Sequence, residues 1–351
     1  MAAVAVILVL IVWHFRGSAE WQEFRWRHVW SLLTHANPGW LLAATVASYL
    51  SYLLRAYRWK FFLDPIKKSS LRVLFVAQVL GFSAIYLIGR LGEAVRPAYI
   101  ARWERVTIVS QVAILLLERI YDGVAITVLL GLALYFEPIR PRGAHAALAL
   151  HRMHQGAAGI LILAAALVAA LVLFRHYSET LIPWTAARLR FLPRRAGSLL
   201  NRLLLSFAEG LDVVQNWRDL AASGLCTIIL WTLNTSTLWL VCRSLGGPLE
   251  DLSWRVAAVA LFSAAAGLVL QLPGVGGGYQ LGVLLALTQI FHVGATAATS
   301  AALLAWIVLL VPCVALGLAL VAYEGLSFRK LEALAAAERA ALGRGAVRGP
   351  G

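Results

Sequence analysis

Long apolar runs alternate along the chain with short charged intervals. Gly39 to Phe62, Leu71 to Ile88, Val106 to Phe136, Gln155 to Phe174, Ala221 to Leu245, Trp254 to Gln271 and Ala297 to Tyr323 are built mainly from aliphatic and aromatic residues. A helix needs about 20 such residues to cross the hydrocarbon of a bilayer, and Val106 to Phe136 reaches about 46 Å at the helical rise. Ala2 to Trp13 is short for a span. It lacks the basic leader and small-residue cleavage site of a signal peptide, so it reads as a tilted or truncated first helix. Glu20 to Asn37 places Trp21, Trp26 and Trp30 on one helical face, and Leu199 to Trp217 sets Leu203, Leu204, Phe207, Leu211 and Val214 against Arg202, Glu209 and Asp212. Both patterns predict helices lying on the membrane surface. Leu71 to Ile88 and Trp254 to Gln271 run into the glycine-bearing breaks GRLGEAVRP and LPGVGGGYQLG.

The basic residues orient these runs. Arg55, Arg58, Lys60, Lys67 and Lys68 mark the exit of the first confident span as cytoplasmic, and Arg175, Arg188, Arg190, Arg194, Arg195 and Arg202 mark a second cytoplasmic loop. A full crossing by Leu71 to Ile88 would put that second loop outside. A re-entrant hairpin over 71–105 keeps both loops inside and leaves Arg140, Arg142 and Arg152 outside. Glu250 and Asp251 suit the outer face. The tail, with Arg329, Lys330, Arg339, Arg344 and Arg348, ends in the cytoplasm, as does the N-terminus. Residues 39–136 read as span, apolar entry, glycine break and span, and residues 219–325 repeat that order at a shift of roughly 183 residues. SSLRVLFVAQVL and DLSWRVAAVALF match in this register at Arg72 and Arg255. The intervening span inverts the second unit. The expectation is an all-α integral membrane protein with about six transmembrane helices and two re-entrant hairpins, 71–105 and 254–292, in inverted-topology repeats. Residues 1–38 form an N-terminal segment, 137–218 a connection and 326–351 a tail.

Composition agrees with this class: 61% of the 351 residues are hydrophobic, 14% are charged, and the mean hydropathy is +0.77. The net charge of +14 comes from loop arginines, and no nucleic-acid-reading motif accompanies it. Cys226, Cys242 and Cys313 fall inside apolar runs and read as small buried hydrophobes. His145, His151 and His154 have no carboxylate or cysteine nearby to complete a metal site, and no nucleotide loop, nucleophilic triad or cofactor motif appears.

Tyr86 to Asp122 departs from the hydrocarbon pattern. Each Arg, Lys or Asp at a helix centre costs roughly 2.5 to 3.5 kcal/mol on insertion scales, so these groups must face each other, water or a ligand. Gly89 and Gly92 permit a tight turn at membrane depth. Arg90 and Arg96 offer planar forks for a phosphate or carboxylate, with Glu93 near enough to hold one of them. Glu118 and Asp122 share a face at i and i+4, with Arg119 beside them. The same charges would equally serve as mutual neutralisers locking the hairpin to the next span. In the second break, Gly274, Gly276 and Gly277 expose backbone N–H groups and Tyr279 and Gln280 add polar tips, suited either to an anion or to close helix packing.

GRLGEAVRP followed by LLLERIYD, and then LPGVGGGYQLG in the second half, resemble the lysylphosphatidylglycerol synthase transmembrane-region family over roughly Gly39 to Tyr323. The resemblance implies two inverted repeats with re-entrant hairpins and the movement of lipids or lipid-linked head groups between leaflets. Arg90, Gly92, Glu93 and Arg96 match the family's first-hairpin pattern, and Glu118, Arg119 and Asp122 its acid–Arg pattern on the following span. This chain has Gln280 where many members carry an acid, and Ile88 where a proline usually precedes the first turn. The aminoacyl-transfer domain of the fused synthases is not in the sequence, which leads us to expect lipid movement without modification. The expected function is a flippase or transporter of a phospholipid or lipid-linked molecule with an anionic head group in the cell inner membrane, with no cofactor and no metal. Two alternatives stay open: a membrane enzyme with Glu118 or Asp122 as general base, and a structural scaffold.

Overall fold

The computed structural model describes residues 25–136, 144–188, 194–211, 217–268, 271–272 and 276–323. The N-terminal run from Ala2 to Trp13, the tail from 324 and the Pro273–Gly274 turn lie outside them. The described elements are helical apart from one two-residue ladder. In chain order they are α1 (Trp26–Thr34), α2 (Pro38–Leu63), α3 (Leu71–Ile88), a 3-10 turn (Gly89–Ala94), α4 (Val95–Glu104), α5 (Ile108–Phe136), α6 (Ala144–Arg188), α7 (Arg194–Gly210), α8 (Trp217–Leu245), α9 (Trp254–Gly267), α10 (Gly278–Leu285) extended by a π turn (Ala286–Ile290), and α11 (Ala295–Tyr323). Leu71–Ile88, Arg218–Leu245 and Ala295–Tyr323 are long and apolar enough to cross a membrane by length and composition, and the protein is an all-α membrane protein.

Local chemistry sets the helix starts. Asn37 accepts from the Gly39 N–H at 2.9 Å ahead of Pro38, and Ser70 and Ser253 cap α3 and α9 by accepting from Val73 N–H and Val256 N–H. α3 ends where Gly89 takes φ 70°, a conformation that an L side chain strains to adopt.

The chain then folds back on itself. A Cβ on Gly92 would lie 2.3 Å from the Ala84 carbonyl carbon and the Ile85 nitrogen, and one on Gly81 would lie 2.8 Å from the Arg96 Cβ. Ser69 donates to the Glu104 carboxylate, and Lys67 to the Glu104 carbonyl, so the end of α4 meets the start of α3. α3, the 3-10 turn and α4 are therefore a closed antiparallel hairpin. The second hairpin uses the same device: a Cβ on Gly267 would sit 2.0 Å from Gly278 O, and one on Gly282 would sit 2.3 Å from Ser263 O. Gln271–Leu272 pairs antiparallel with Gly276–Gly277 at its tip, and that tip touches the 3-10 turn of the first hairpin.

Packing comes in matched pairs. α2 packs on α8 along their lengths; α3 packs on α11 as α9 does on α5; α4 packs on α5 as α10 does on α11; α2 meets α11 as α8 meets α5. One apolar cluster runs through α8, α9, α10 and α11, and a second through α2, α3, α4 and α5, including Trp59, Phe62, Ile100 and Ile114. Pro312 lies inside α11, where it removes a backbone donor. Hydroxyls from the first half cover the carbonyls around it: Tyr49 donates to Pro312 O at 2.9 Å, Tyr52 to Leu309 O at 3.3 Å and Ser83 to Cys313 O at 3.0 Å.

Candidate functional site

A buried ionic cluster lies where the first hairpin meets α2, α5 and α8. Glu118 and Asp122, one turn apart on α5, project to the same side. Arg58 on α2 bridges them, with Nη2 donating to Glu118 Oε1 at 2.5 Å and Nη1 to Asp122 Oδ1 at 2.7 Å. The same Nη1 reaches Thr227 Oγ1 at 2.7 Å, and the Trp231 indole N–H donates to Asp122 Oδ1 at 3.1 Å, which ties α8 to the pair. Arg96 on α4 approaches Glu118 from the other side, donating to both carboxylate oxygens and to Gln78 Oε1 at 2.7 Å, and its guanidinium stacks over Trp59 at 4.2 Å. Arg58 and Glu118 are fully buried and Arg55, Arg96 and Asp122 nearly so. With little water to shield them, these charges are held by one another and by the polar groups that α3 and α8 supply.

Arg55, one turn before Arg58, is held more loosely: Nη1 lies 3.4 Å from Asp122 Oδ2 and 3.9 Å from Glu118 Oε1. It lines a narrow cleft, with room for about one water molecule, together with Gly81, Phe82, Ile85, Glu93, Arg96, Glu118 and Arg119. Arg119 and Glu93 pair there at 3.4 Å, both side chains more than one third exposed.

The structure thus gathers Gly92, Glu93, Arg96, Glu118, Arg119 and Asp122 from the sequence-predicted set into one region, with two corrections. Of the two expected partners of Glu93, Arg96 turns inward to Glu118 and the side chain of Arg90 lies outside the described ones, while Arg119 pairs with Glu93. Arg55 and Arg58 belong to the interior: a basic exit loop would leave them in water, whereas both are buried among carboxylates. Their signal was present, since two arginines three apart on one helical face match two carboxylates four apart on another. Arg90 stands in the 3-10 turn between Gly89 and Gly92. The described second-hairpin residues are not among those lining this cleft. Gly276 and Gly277 are in the two-residue ladder, Gly277 with φ 81°, and Tyr279 is buried with its ring 5.9 Å from that of Trp306; Gln280 follows on α10, and Gly274 is outside the described residues.

Helices that bury apolar faces against each other, two glycine-pinned hairpins and charge kept in the interior define a multi-pass membrane protein. The sequence profile described as Lysylphosphatidylglycerol synthase TM region matches residues 1–317, and the chain belongs to this family. The family ties it to lipid modification or flipping in membranes. No curated protein matches the chain closely enough to add to this.

Proposed function

We propose that the protein is a flippase or transporter that moves a lipid with an anionic head group, a phospholipid or a lipid-linked molecule, across the cell inner membrane. The carrying observation is the cleft, where Arg55, Arg96 and Arg119 face a small space between the first hairpin and α5. Guanidinium forks suit phosphate oxygens, and only the head group need leave water while the tails stay in lipid. We place Arg90, on the same 3-10 turn as Gly92 and Glu93, in the proposed binding set for its sequence position alone. Glu93, Glu118 and Asp122 hold the arginines and set the charge of the site. The matched contacts of the two halves support inverted repeats with re-entrant hairpins, with both termini cytoplasmic. In this reading the described residues Gly276, Gly277, Tyr279 and Gln280 approach the first hairpin from the opposite leaflet, and Gly274, outside the described residues, belongs to the proposed set by sequence.

Mass spectrometry of lipids co-purifying with the wild type and with Arg96→Ala and Arg119→Ala tests this reading. An anionic lipid enriched on the wild type and lost from both variants is expected. Identical lipid profiles on folded variants would assign the charges to fold locking.

A further inference from the structure

The two halves hold their hairpins by different forces. In the first half Arg96 ties the hairpin to the following span, α5, through buried Glu118. In the second half the following span is α11, and α10 meets it through aromatic rings, Tyr279 against Trp306 with centres 5.9 Å apart. Trp306 also meets Tyr86, in the last turn of α3, edge to face at 5.1 Å. One buried indole is therefore wedged between the two hairpins. Phe82, whose ring lies 6.3 Å from that of Tyr86, lines the cleft beside this wedge. Six residues beyond Trp306, Pro312 interrupts the α11 ladder and offers no N–H to the Val308 carbonyl one turn back. A tyrosine hydroxyl has one proton to give, so Tyr86 donates to Tyr52 at 3.3 Å and Tyr52 to Leu309 O at 3.3 Å, a single chain across the seam. After the proline the grip is closer: Ser83 donates to Cys313 O at 3.0 Å, and a Cβ on Gly317 would lie 2.1 Å from Ser83 Oγ. Rings and neutral hydrogen bonds part more easily than buried ion pairs, whose partners would be stranded in the interior.

We propose that α11 is a pivot. Residues 295–311 swing at Pro312 together with α10, parting Trp306 from Tyr86, while residues 313–323 stay clamped to α3 and the ion cluster holds the first hairpin in place. The purpose of the movement rests on the lipid-transport reading above: the cleft admits about one water as it stands, and parting the seam widens it beside Phe82. The moving half is thus the one without the charges.

Thiol accessibility of the detergent-solubilised full chain tests this, with Cys226, Cys242 and Cys313 replaced by alanine. The reporter is Ala302→Cys, a small change at a buried position one turn before Trp306 on the same helical face. The control is Ala113→Cys on α5, fully buried in the first half. A water-soluble thiosulfonate is expected to label the reporter and leave the control unlabelled. Pro312→Ala restores the backbone donor and is expected to slow reporter labelling about tenfold. Tyr52→Phe cuts the hydroxyl chain and is expected to speed it about three- to tenfold. A reporter as unreactive as the control, a control labelled as fast as the reporter, or a reporter rate unchanged in Pro312→Ala overturns the pivot. If Pro312→Ala fails to fold, Tyr52→Phe decides alone, an unchanged rate overturning it. Labelling in the expected order by a protein that moves no lipid in vesicles supports the pivot and overturns the transport reading alone. Translocation by a protein whose reporter stays unreactive overturns the pivot alone.

Discussion

Replacing Glu118 by glutamine removes the carboxylate on which two buried arginines converge. Arg58 keeps Asp122 at 2.7 Å and Arg96 keeps only the neutral Gln78 at 2.7 Å, so each loses one carboxylate contact and the buried Arg55, Arg58 and Arg96 are left facing Asp122 as the one remaining buried carboxylate of the cluster among the described residues. At an effective dielectric of about 20, one unit-charge pair at about 4 Å is worth ~4 kcal/mol, so the two arginines contribute about 8 kcal/mol of gross attraction. Relief of the carboxylate's own desolvation recovers part of this, and breaking buried pairs by removing one partner nets about 3 to 5 kcal/mol of destabilisation. At roughly 2 °C per kcal/mol for a large chain, Glu118→Gln lowers the melting temperature by about 6 to 10 °C. Fluorescence-detected size exclusion of the heated, detergent-solubilised protein measures it. Adding Arg96→Gln removes one stranded cation and is expected to recover part of the loss, a coupling that a double-mutant cycle reads. A Glu118→Gln variant melting within about 1 °C of the wild type would refute a cluster held by these ion pairs.

Glu93→Gln and Arg119→Gln break a partly exposed pair, so each is expected to change stability by about 1 kcal/mol or less in the same thermal assay, and under the proposed function Arg119→Gln is expected to lose lipid translocation. Gly92→Ala and Gly282→Ala each force a Cβ to within 2.3 Å of backbone in the facing helix. Overpacking of this kind costs about 1 to 3 kcal/mol and is read as lost folded yield. Gly131→Ala has nothing within 4 Å of its new Cβ and is expected to be neutral or stabilising by up to ~1 kcal/mol through helix propensity. Tyr49→Phe and Ser83→Ala uncover carbonyls beside Pro312 and cost about 0.5 to 1.5 kcal/mol each, measured as separate melting shifts.

Hydrophobic periodicity and the two glycine breaks made the helices legible, because a bilayer leaves the backbone few choices and glycine is what permits a close turn within it. In the structure α3 to α4 runs over Leu71–Glu104, and the described residues from α9 through the π turn lie within 254–290. The acidic half of the site was equally readable, since Glu118 and Asp122 sit one turn apart in an apolar run. The basic half was not. Arg55 and Arg58 stand near the C-terminal end of α2 beside Lys60, and a one-dimensional reading groups them with the loop lysines. Only the packing of α2 on α8, which brings Thr227 and Trp231 to Arg58 and Asp122, reveals them as interior. Of the two arginines near Glu93 in sequence, Arg90 and Arg96, the second turns toward Gln78 and Trp59, and the partner that Glu93 meets from the next helix, Arg119, is 26 residues on.

Head-group translocation in proteoliposomes tests the central claim most directly. With a fluorescent phosphatidylglycerol in both leaflets and a membrane-impermeant quencher outside, the wild type is expected to expose the inner-leaflet pool, and Arg119→Gln at equal incorporation to behave like protein-free vesicles. Equal rates for wild type, Arg119→Gln and empty vesicles would contradict the account.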